Sequence, residues 1–192
     1  NLDPEFINHL PEKADFAFAD PPYNAGVDEW DHDFKWEQDY LQDKAHIVAV
    51  TPGISAISDF FKRTQMDYKW SMSTWIKNGM TRGALGFGNW MYTAILSKAE
   101  SIHQNAQDHH SITIQTSDSE DHYHKGKKPT KYLEQILSTF CNEGDDVIDA
   151  FSGSGNLIFV CQEKGMTCYA AEMEPMYVKQ IIKQYKDKYG TD

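Results

Sequence analysis

The segment between residues 147 and 172 limits the possible folds more than any other part of the chain. An apolar run beginning at Val147 ends in a glycine-containing turn at 150–155, and an apolar stretch at 156–161 follows. The first run is typical of a buried strand, the glycines of a turn and the second stretch of a helix. Residues 167–171 predict a further strand. A strand, turn, helix and strand in this order predict an α/β protein with a parallel sheet.

The glycine turn also predicts a ligand site. Gly153 and Gly155 let the backbone approach a ligand closely. Glu172 follows the second strand about 20 positions beyond the turn, the spacing at which a carboxylate binds ribose hydroxyls. The turn lacks the full G-x-G-x-x-G motif and the Gly-Lys-Ser/Thr of phosphate-binding loops. A nucleoside with a modest tail therefore fits better than a nucleoside triphosphate.

A second motif, Asp20-Pro21-Pro22-Tyr23, follows the alternating run at 15–19. The alternation predicts a strand, and the prolines end it because neither can donate a hydrogen bond to a neighbouring strand. Asp20 thus lies at a carboxyl end, the edge where open α/β sheets bind ligands. The Asp20 carboxylate and the Pro21 carbonyl would accept the two N–H groups of an exocyclic amine and free its lone pair. Tyr23 would stack on the base.

The chain resembles the amino-group DNA methyltransferases that use S-adenosylmethionine, in their permuted class, where the catalytic motif precedes the cofactor motif. Residues 20–23 match the catalytic D-P-P-Y, and residues 149–155 match D-P-F-x-G-S-G except for Ala150. Residues 172–178 are similar to E-I-x-P-x-Y-V. His124 to Pro129 is similar to H-P-x-x-K-P, which begins the helix over the methionine end of the cofactor. Four matches in a family-specific order are stronger than any one motif.

The resemblance implies one Rossmann-like methyltransferase domain over residues 1–192, with a mostly parallel central sheet, helices on both faces and a permuted motif order. It implies a flipped adenine in duplex DNA as substrate and direct transfer to its N6 amine. An aspartate instead of a serine at position 20 favours adenine-N6 over cytosine-N4. The implied catalytic residues are Asp20, Pro21, Pro22 and Tyr23. The implied residues for S-adenosylmethionine are Asp149, Phe151, Ser152, Gly153, Ser154, Gly155, Glu172, Met173, Lys128 and Pro129.

Several alternatives remain open from the sequence. Cytosine-N4 methylation or an RNA substrate is the second enzymatic interpretation, and a non-catalytic cofactor-binding regulatory module is a third. A homodimer is possible. The three cysteines show no C-x-x-C spacing, so neither a disulfide framework nor a zinc site is predicted. Without a long apolar run or a signal-like start, we expect a cytoplasmic protein with no membrane association.

The charge of the chain argues against a broad DNA-binding surface. The sequence has 29 acidic and 18 basic residues, a net charge of −11, whereas duplex binding relies on Lys and Arg at phosphates. We therefore expect DNA contacts only at local groups of basic residues. For each such group, an ordinary solvated face is an equally good interpretation. The two candidate groups are Lys125, Lys127, Lys128 and Lys131, and Lys62, Arg63, Lys69, Lys77 and Arg82.

Three polar or glycine-rich segments are predicted to be loops. Residues 24–36 suggest a mobile loop at the site mouth, in which Trp30 or Trp36 fills space or anchors the loop. Residues 83–88 predict turns or a substrate-facing loop. Residues 101–123, with most of the histidines, occupy the family's target-recognition position and predict a solvated loop; the segment of about 100–124 is short. Residues 1–3 resemble the end of a family segment, so an N-terminally trimmed chain is expected.

Overall fold

The structure is a computed structural model that describes residues 1–24, 26, 31–79, 81–83, 86–100, 106–114 and 127–190. Its strands are β1 Ala14–Ala19, β2 Ala45–Val50, β3 Tyr68–Ile76, β4 Thr81–Gly83, β5 Gly86–Gly88, β6 Trp90–Leu96, β7 His109–Ile112, β8 Asp146–Asp149 and β9 Thr167–Ala170. Its helices, numbered along the described chain, are α1 Pro4–His9, α2 Leu41–Lys44, α3 Ile57–Arg63, α4 Thr130–Phe140, α5 Asn156–Glu163 and α6 Pro175–Tyr189.

Seven strands form one sheet in the order β7-β3-β6-β2-β1-β8-β9. Strand β6 is antiparallel to both of its neighbours, β2 and β3, whereas the other pairings in this sheet are parallel. The predicted mostly parallel sheet is therefore confirmed. The strand after the glycine turn lies at one edge, and β1 lies next to β8 although 126 residues separate their ends.

Helices cover both faces of the sheet. Successive strand residues point to opposite sides, so the strands contribute apolar side chains to a core on each face. Phe16 and Phe18 of β1 belong to one apolar core with the buried side of α4. Ala17 and Ala19 belong to the other core, which Leu41 of α2 and Phe60 of α3 complete. The buried residues of α4, at helical spacing, are Tyr132, Leu133, Ile136, Leu137 and Phe140. The prediction of helices on both faces of the sheet is confirmed.

The register of the central strands brings three chain segments to one edge. Phe18 of β1 is opposite Asp149 of β8, and Ala19 is opposite Val50 of β2. Parallel strands in register end at the same edge, about 4.8 Å from their neighbours. The segments after β1, β2 and β8 therefore leave the sheet side by side.

Two sequence predictions for this region are wrong. Residues 83–88 were expected as turns or a substrate-facing loop, but Gly83 belongs to β4 and residues 86–88 form β5, and these two strands pair antiparallel; residues 84–85 lie outside the described residues. His109 and His110 were expected in a solvated loop, but they lie in β7, whose backbone pairs with β3. Backbone pairing at a sheet edge decides both cases, and the composition of these segments does not reveal it.

The C-terminal helix α6 buries a narrow apolar stripe. Tyr177 and Ile181 are buried, whereas Ile182 is 51% exposed. None of the helices within the described residues is both long enough and apolar enough to cross a membrane.

Candidate active site

A cavity of about 1730 Å³ opens at the carboxyl edge of the sheet. It brings together both halves of the site predicted from sequence, the Asp20 motif after β1 and the glycine turn after β8. The predicted residues that line it are Asp20, Pro21, Pro22, Tyr23, Lys128, Pro129, Asp149, Phe151, Ser152, Gly153, Ser154, Glu172 and Met173. Of the predicted site residues, only Gly155 is outside this lining.

Three hydrogen-bond donors hold the Asp20 carboxylate. Tyr23 donates its hydroxyl to Oδ1 at 2.8 Å, and Thr51 donates its hydroxyl to the same oxygen at 2.7 Å. The Lys128 ammonium donates to Oδ2 at 2.5 Å. The side chains of Asp20 and Lys128 are only 17% and 12% exposed. The carboxylate is thus fixed in one orientation by two different elements and a neutralising cation.

Lys128 also contacts the tyrosine of the motif. Its Nζ lies 5.0 Å from the centroid of the Tyr23 ring, within the range of a cation–π contact. Burial by itself lowers the pKa of Lys128, but the negative charge of Asp20 and the hydrogen bond to it outweigh burial and raise the pKa above its usual value. Burial, and secondly the Asp20 charge, raises the pKa of Tyr23 to about 12. Lys128 is therefore a cation and Tyr23 a neutral phenol at physiological pH.

A glycine and a buried aspartate position the Tyr23 ring. Gly53, in the turn after β2, has a φ of +71°, and a Cβ there would lie 2.7–2.9 Å from three atoms of the ring. The Asp31 carboxylate accepts the backbone N–H groups of Tyr23 at 2.7 Å and Asn24 at 2.8 Å. Asn24 itself has a φ of +55°. The ring therefore occupies a space that only glycine leaves open.

The Asp149 carboxylate, at the end of β8, differs from Asp20 in its environment. Asp149 is 2% exposed, and the backbone N–H of Phe151 donates to it at 3.3 Å. Burial, with a smaller contribution from the Asp20 charge, raises the pKa of Asp149 to about 7, although the Phe151 hydrogen bond opposes this shift. Asp149 is thus a carboxyl group close to its titration point.

Glu172 braces the glycine turn. Its Oε2 accepts the backbone N–H of Gly153 at 2.6 Å, and its Oε1 accepts the N–H of Glu174 at 2.8 Å. Each carboxylate oxygen has a second acceptor position, so this bracing leaves Glu172 able to accept hydroxyl groups at the cavity wall. Gly155 has a packing role instead, since a Cβ there would lie 2.7 Å from the Ile181 side chain.

The third motif joins the two halves of the site. Pro129 precedes the first turn of α4. The Asn156 side chain, at the start of α5, donates to the Lys128 carbonyl at 2.9 Å. The position of Lys128 is therefore tied to the helix that follows the glycine turn. The earlier part of this motif, His124 to Gly126, and Trp30 of the expected mouth loop lie outside the described residues.

No metal site is present within the described ranges, where no group of three or more His, Cys, Asp or Glu side chains is suitably placed. His103 and His122 lie outside those ranges. His109 contacts the Trp90 ring, with centroids 5.2 Å apart. Trp36 is buried against Phe60 and anchors the expected mouth loop to the core.

Comparison with known proteins identifies the family. The model of the N6/N4 family, described as DNA methylase, matches residues 56–184, more than half of the chain. The chain is an N6/N4 DNA methylase. The matched segment contains Lys128, the glycine turn and Glu172, whereas the Asp20 motif precedes it. Because this family covers both N6 and N4 methylases, membership alone does not choose between adenine N6 and cytosine N4.

Individual relatives extend the similarity over almost the whole methylase. The type II methyltransferase M.HpaI of Haemophilus parainfluenzae is 25% identical over 96% of this chain and 72% of its own. The M1.HpyAVI–SAM complex has a TM-score of 0.67 at 20% identity, covering 93% of this chain and 92% of its own. The cytosine-N4-specific PvuII DNA methyltransferase has a TM-score of 0.68 at 12% identity, covering 92% and 81%. The chain has their Rossmann-like fold.

Sequence reasoning missed three residues of the methylase site: Thr51, Gly53 and Asp31. Thr51 and Gly53 follow β2 directly, and β2 is the neighbour of β1 in the sheet. A prediction that the two strands are adjacent would have pointed to the turn after β2. Asp31 is eight residues from the backbone N–H of Tyr23 that it binds, and no local pattern marks it.

Proposed function

We propose that this DNA methylase transfers a methyl group from S-adenosylmethionine to the N6 amine of an adenine rotated out of duplex DNA. The observation that carries the proposal is the single cavity that joins the Asp20 motif to the Asp149 glycine turn. The cofactor, which supplies an electrophilic methyl group, belongs against the glycine turn. The base belongs against Asp20 and Tyr23. Reaction at such a site depends mainly on positioning and electrostatics.

The glycine turn and its neighbours fit a nucleoside cofactor. Glu172 at the cavity wall has free acceptor positions for hydroxyl groups, and the backbone at Gly153 is open to close approach. Asp149 also lines the cavity, and its carboxyl accepts the backbone N–H of Phe151 in the turn. The turn holds no lysine, which supports a cofactor without a triphosphate.

Asp20 and the Pro21 carbonyl are the proposed acceptors for the target amino group. An exocyclic amine is a weak nucleophile because its lone pair is delocalised into the ring. Two acceptors that hold its N–H groups favour the geometry in which the lone pair is free, and the carboxylate stabilises the positive charge that develops on nitrogen. Thr51 and Tyr23 fix Oδ1 of Asp20, which leaves Oδ2 as the oxygen for the amine.

Lys128 occupies the proposed amine position. Its ammonium donates to Oδ2 of Asp20 and lies over the Tyr23 ring, the two contacts expected of a stacked base with an amino group. The lysine therefore has to withdraw from Oδ2 when the base enters. Until then it neutralises a nearly buried carboxylate that would be costly to leave unpaired.

The preference for adenine rests on Asp20. A carboxylate at this position, instead of a hydroxyl, is the feature that resembles the adenine branch. The fold does not decide, since the cytosine-N4-specific PvuII enzyme has a TM-score of 0.68 with this chain. Cytosine-N4 remains the second candidate for this reason.

The test is incubation of the purified protein with methyl-labelled S-adenosylmethionine and unmethylated genomic DNA, followed by nucleoside digestion and mass spectrometry. We expect labelled N6-methyladenine, and none with the Asp20→Ala variant. Labelled N4-methylcytosine would overturn the base assignment. Absence of any product from a protein that binds the cofactor would favour the regulatory-module interpretation, and an RNA substrate in place of DNA checks the remaining alternative.

A further inference from the structure

Two exposed tryptophans form a stacked pair on one face of the sheet. Trp75 of β3 and Trp90 of β6 are cross-strand partners, with ring centroids 6.4 Å apart and an interplanar angle of 25°. They are 38% and 44% exposed. His109 of β7 contacts the Trp90 ring, with ring centroids 5.2 Å apart. These three residues define an aromatic face across three adjacent strands.

The aromatic face is continuous with the cavity. Strand β3 ends at the carboxyl edge of the sheet, and antiparallel β6 begins there, so Trp75 and Trp90 lie at the edge that carries the site. Trp90 itself lines the cavity, as does Phe87 of the neighbouring hairpin, which is 69% exposed. A ligand that leaves the cavity on this side meets aromatic rings first.

The strands of this face come from a segment whose charge opposes that of the rest of the chain. Residues 68–99 contain no Asp or Glu, although the full chain has 29 acidic residues. They contain Lys69, Lys77, Arg82 and Lys98, of which Lys69 and Lys98 lie at the opposite end of these strands and Lys98 pairs with Asp43 at 2.7 Å. Lys77 is exposed and lies in the turn directly after β3, two positions beyond Trp75. Asp108 borders His109 on this face, but the residue directly beyond β3 is Lys77, and aromatic rings next to a cation suit nucleic-acid strands.

We propose that the aromatic face is a stacking platform for unpaired bases of the DNA substrate that flank the target nucleotide. The proposal rests on the proposed function, which delivers a rotated base to the adjoining cavity. Rotation exposes the faces of neighbouring and opposing bases, and aromatic side chains bind such faces without regard to sequence. Lys77 accompanies the platform as a phosphate contact.

A second copy of the chain is a weaker candidate for this face. In a twofold dimer the same patch meets itself, so the acid-free segment and its lysines would be placed opposite like charges. Such a juxtaposition is unfavourable for association. A polyanion that also offers flat rings satisfies both the charge and the apolar surface.

The test compares single-stranded DNA with a matched duplex of the same sequence, by fluorescence anisotropy of labelled oligonucleotides. The variants are Trp75→Ala and Trp90→Ala. The control is Tyr68→Ala, since Tyr68 is a 51% exposed aromatic residue at the opposite end of β3. We expect each tryptophan variant to lose about tenfold in affinity for the single strand. The loss for the duplex and the loss in the control should be under twofold.

Two further variants address folding and charge. Trp75→Leu and Trp90→Leu keep an apolar side chain on each strand but remove the stacking ring, and they should reproduce the alanine result with an unchanged melting temperature. Lys77→Ala should reduce the dependence of single-strand binding on salt by the equivalent of about one phosphate contact. Unchanged single-strand binding in all tryptophan variants would overturn the proposal.

The outcomes separate this proposal from the proposed function and from a dimer. If the wild-type protein yields methylated nucleosides and the tryptophan variants bind single strands normally, only the platform is wrong. If the wild-type protein yields no methylated nucleoside, the proposed function is wrong. If the variants change only the mass measured by light scattering, the aromatic face is an interface between copies.

Discussion

The two aspartates at the ends of β1 and β8 lie on adjacent strands but in opposite electrostatic environments. Asp20 has three donors, one of them the Lys128 ammonium. Asp149 is 2% exposed and accepts one backbone hydrogen bond, at 3.3 Å. Burial, and to a smaller extent the Asp20 charge, raises its pKa to about 7. One carboxylate is held in a fixed orientation beside a cation at the cavity, and the other is buried at the cavity end of β8 with a raised pKa.

This difference indicates that the two carboxyl groups at one edge of the sheet have different tasks. A carboxylate with a counter-ion and fixed orientation suits hydrogen bonding to an amine as charge develops. A carboxyl group without a counter-ion suits a buried position at the end of β8, where a full charge would be expensive. We therefore expect substitutions at the two sites to affect different quantities.

Asp20→Asn should have the largest effect on catalysis. The variant keeps the size of the side chain but removes the charge and replaces one acceptor with a donor. We expect a loss of at least about 100-fold in the single-turnover rate of methyl transfer, with DNA binding changed by less than about threefold. Rapid-quench measurement at saturating cofactor checks the rate, and a wild-type rate would contradict the proposed role.

Gly53→Ala should be next, because it displaces the Tyr23 ring. A Cβ at this position would lie 2.7–2.9 Å from ring atoms, and the φ of +71° adds strain. Gly144→Ala is the matched control, since its φ is +91° but a Cβ there meets nothing within 4 Å. We expect both to lower the melting temperature, but only Gly53→Ala to reduce turnover, by about 10- to 100-fold. Equal turnover in the two variants would show that the ring position is unimportant.

Asp149→Asn should change the pH dependence of stability. Because the folded-state pKa of Asp149 is raised to about 7, its stabilising contribution is fully present below the unfolded value near 3.8 and is lost as pH rises through about 7. Asparagine does not titrate. We expect the variant to melt at a higher temperature than wild type at pH 8, and this difference to shrink toward pH 5.5. Each kcal/mol of unfolding free energy that the ionised Asp149 costs corresponds to about 2–4 °C in melting temperature. A constant difference across this range would argue against the buried carboxyl.

Lys128→Met should have the smallest kinetic effect and tests whether the lysine occupies the amine position. Removal of the competing ammonium should lower the KM for DNA by about threefold, a change of less than 1 kcal/mol, while the protein becomes less stable because Asp20 loses its counter-ion. Lys131→Met, an exposed lysine in the first turn of α4, is the control. A raised cofactor Kd with an unchanged KM for DNA would instead assign Lys128 to the cofactor.

The sequence predicted the strand ends better than the contacts between them. Asp20 and the glycine turn were identified because prolines and glycines interrupt apolar runs, a local signal. The contacts of Thr51 with Asp20 and of Gly53 with Tyr23 depend on which strands are neighbours, and 31 residues separate Thr51 from Asp20. The pairing of β7 with β3 is equally non-local, which explains why His109 was assigned to a loop. Local sequence patterns identify the motifs, whereas the contacts of those motifs depend on which strands are neighbours in the sheet.

The most direct test of the central claim is a crossed measurement on Asp20→Asn and Asp149→Asn, with cofactor binding by calorimetry and single-turnover transfer in the same preparations. The division of tasks predicts that Asp20→Asn binds S-adenosylmethionine like wild type but transfers no methyl group. It predicts that Asp149→Asn binds the cofactor more weakly yet transfers at a near-normal rate when saturated. Loss of cofactor binding in Asp20→Asn, or normal cofactor binding in Asp149→Asn, would contradict the account.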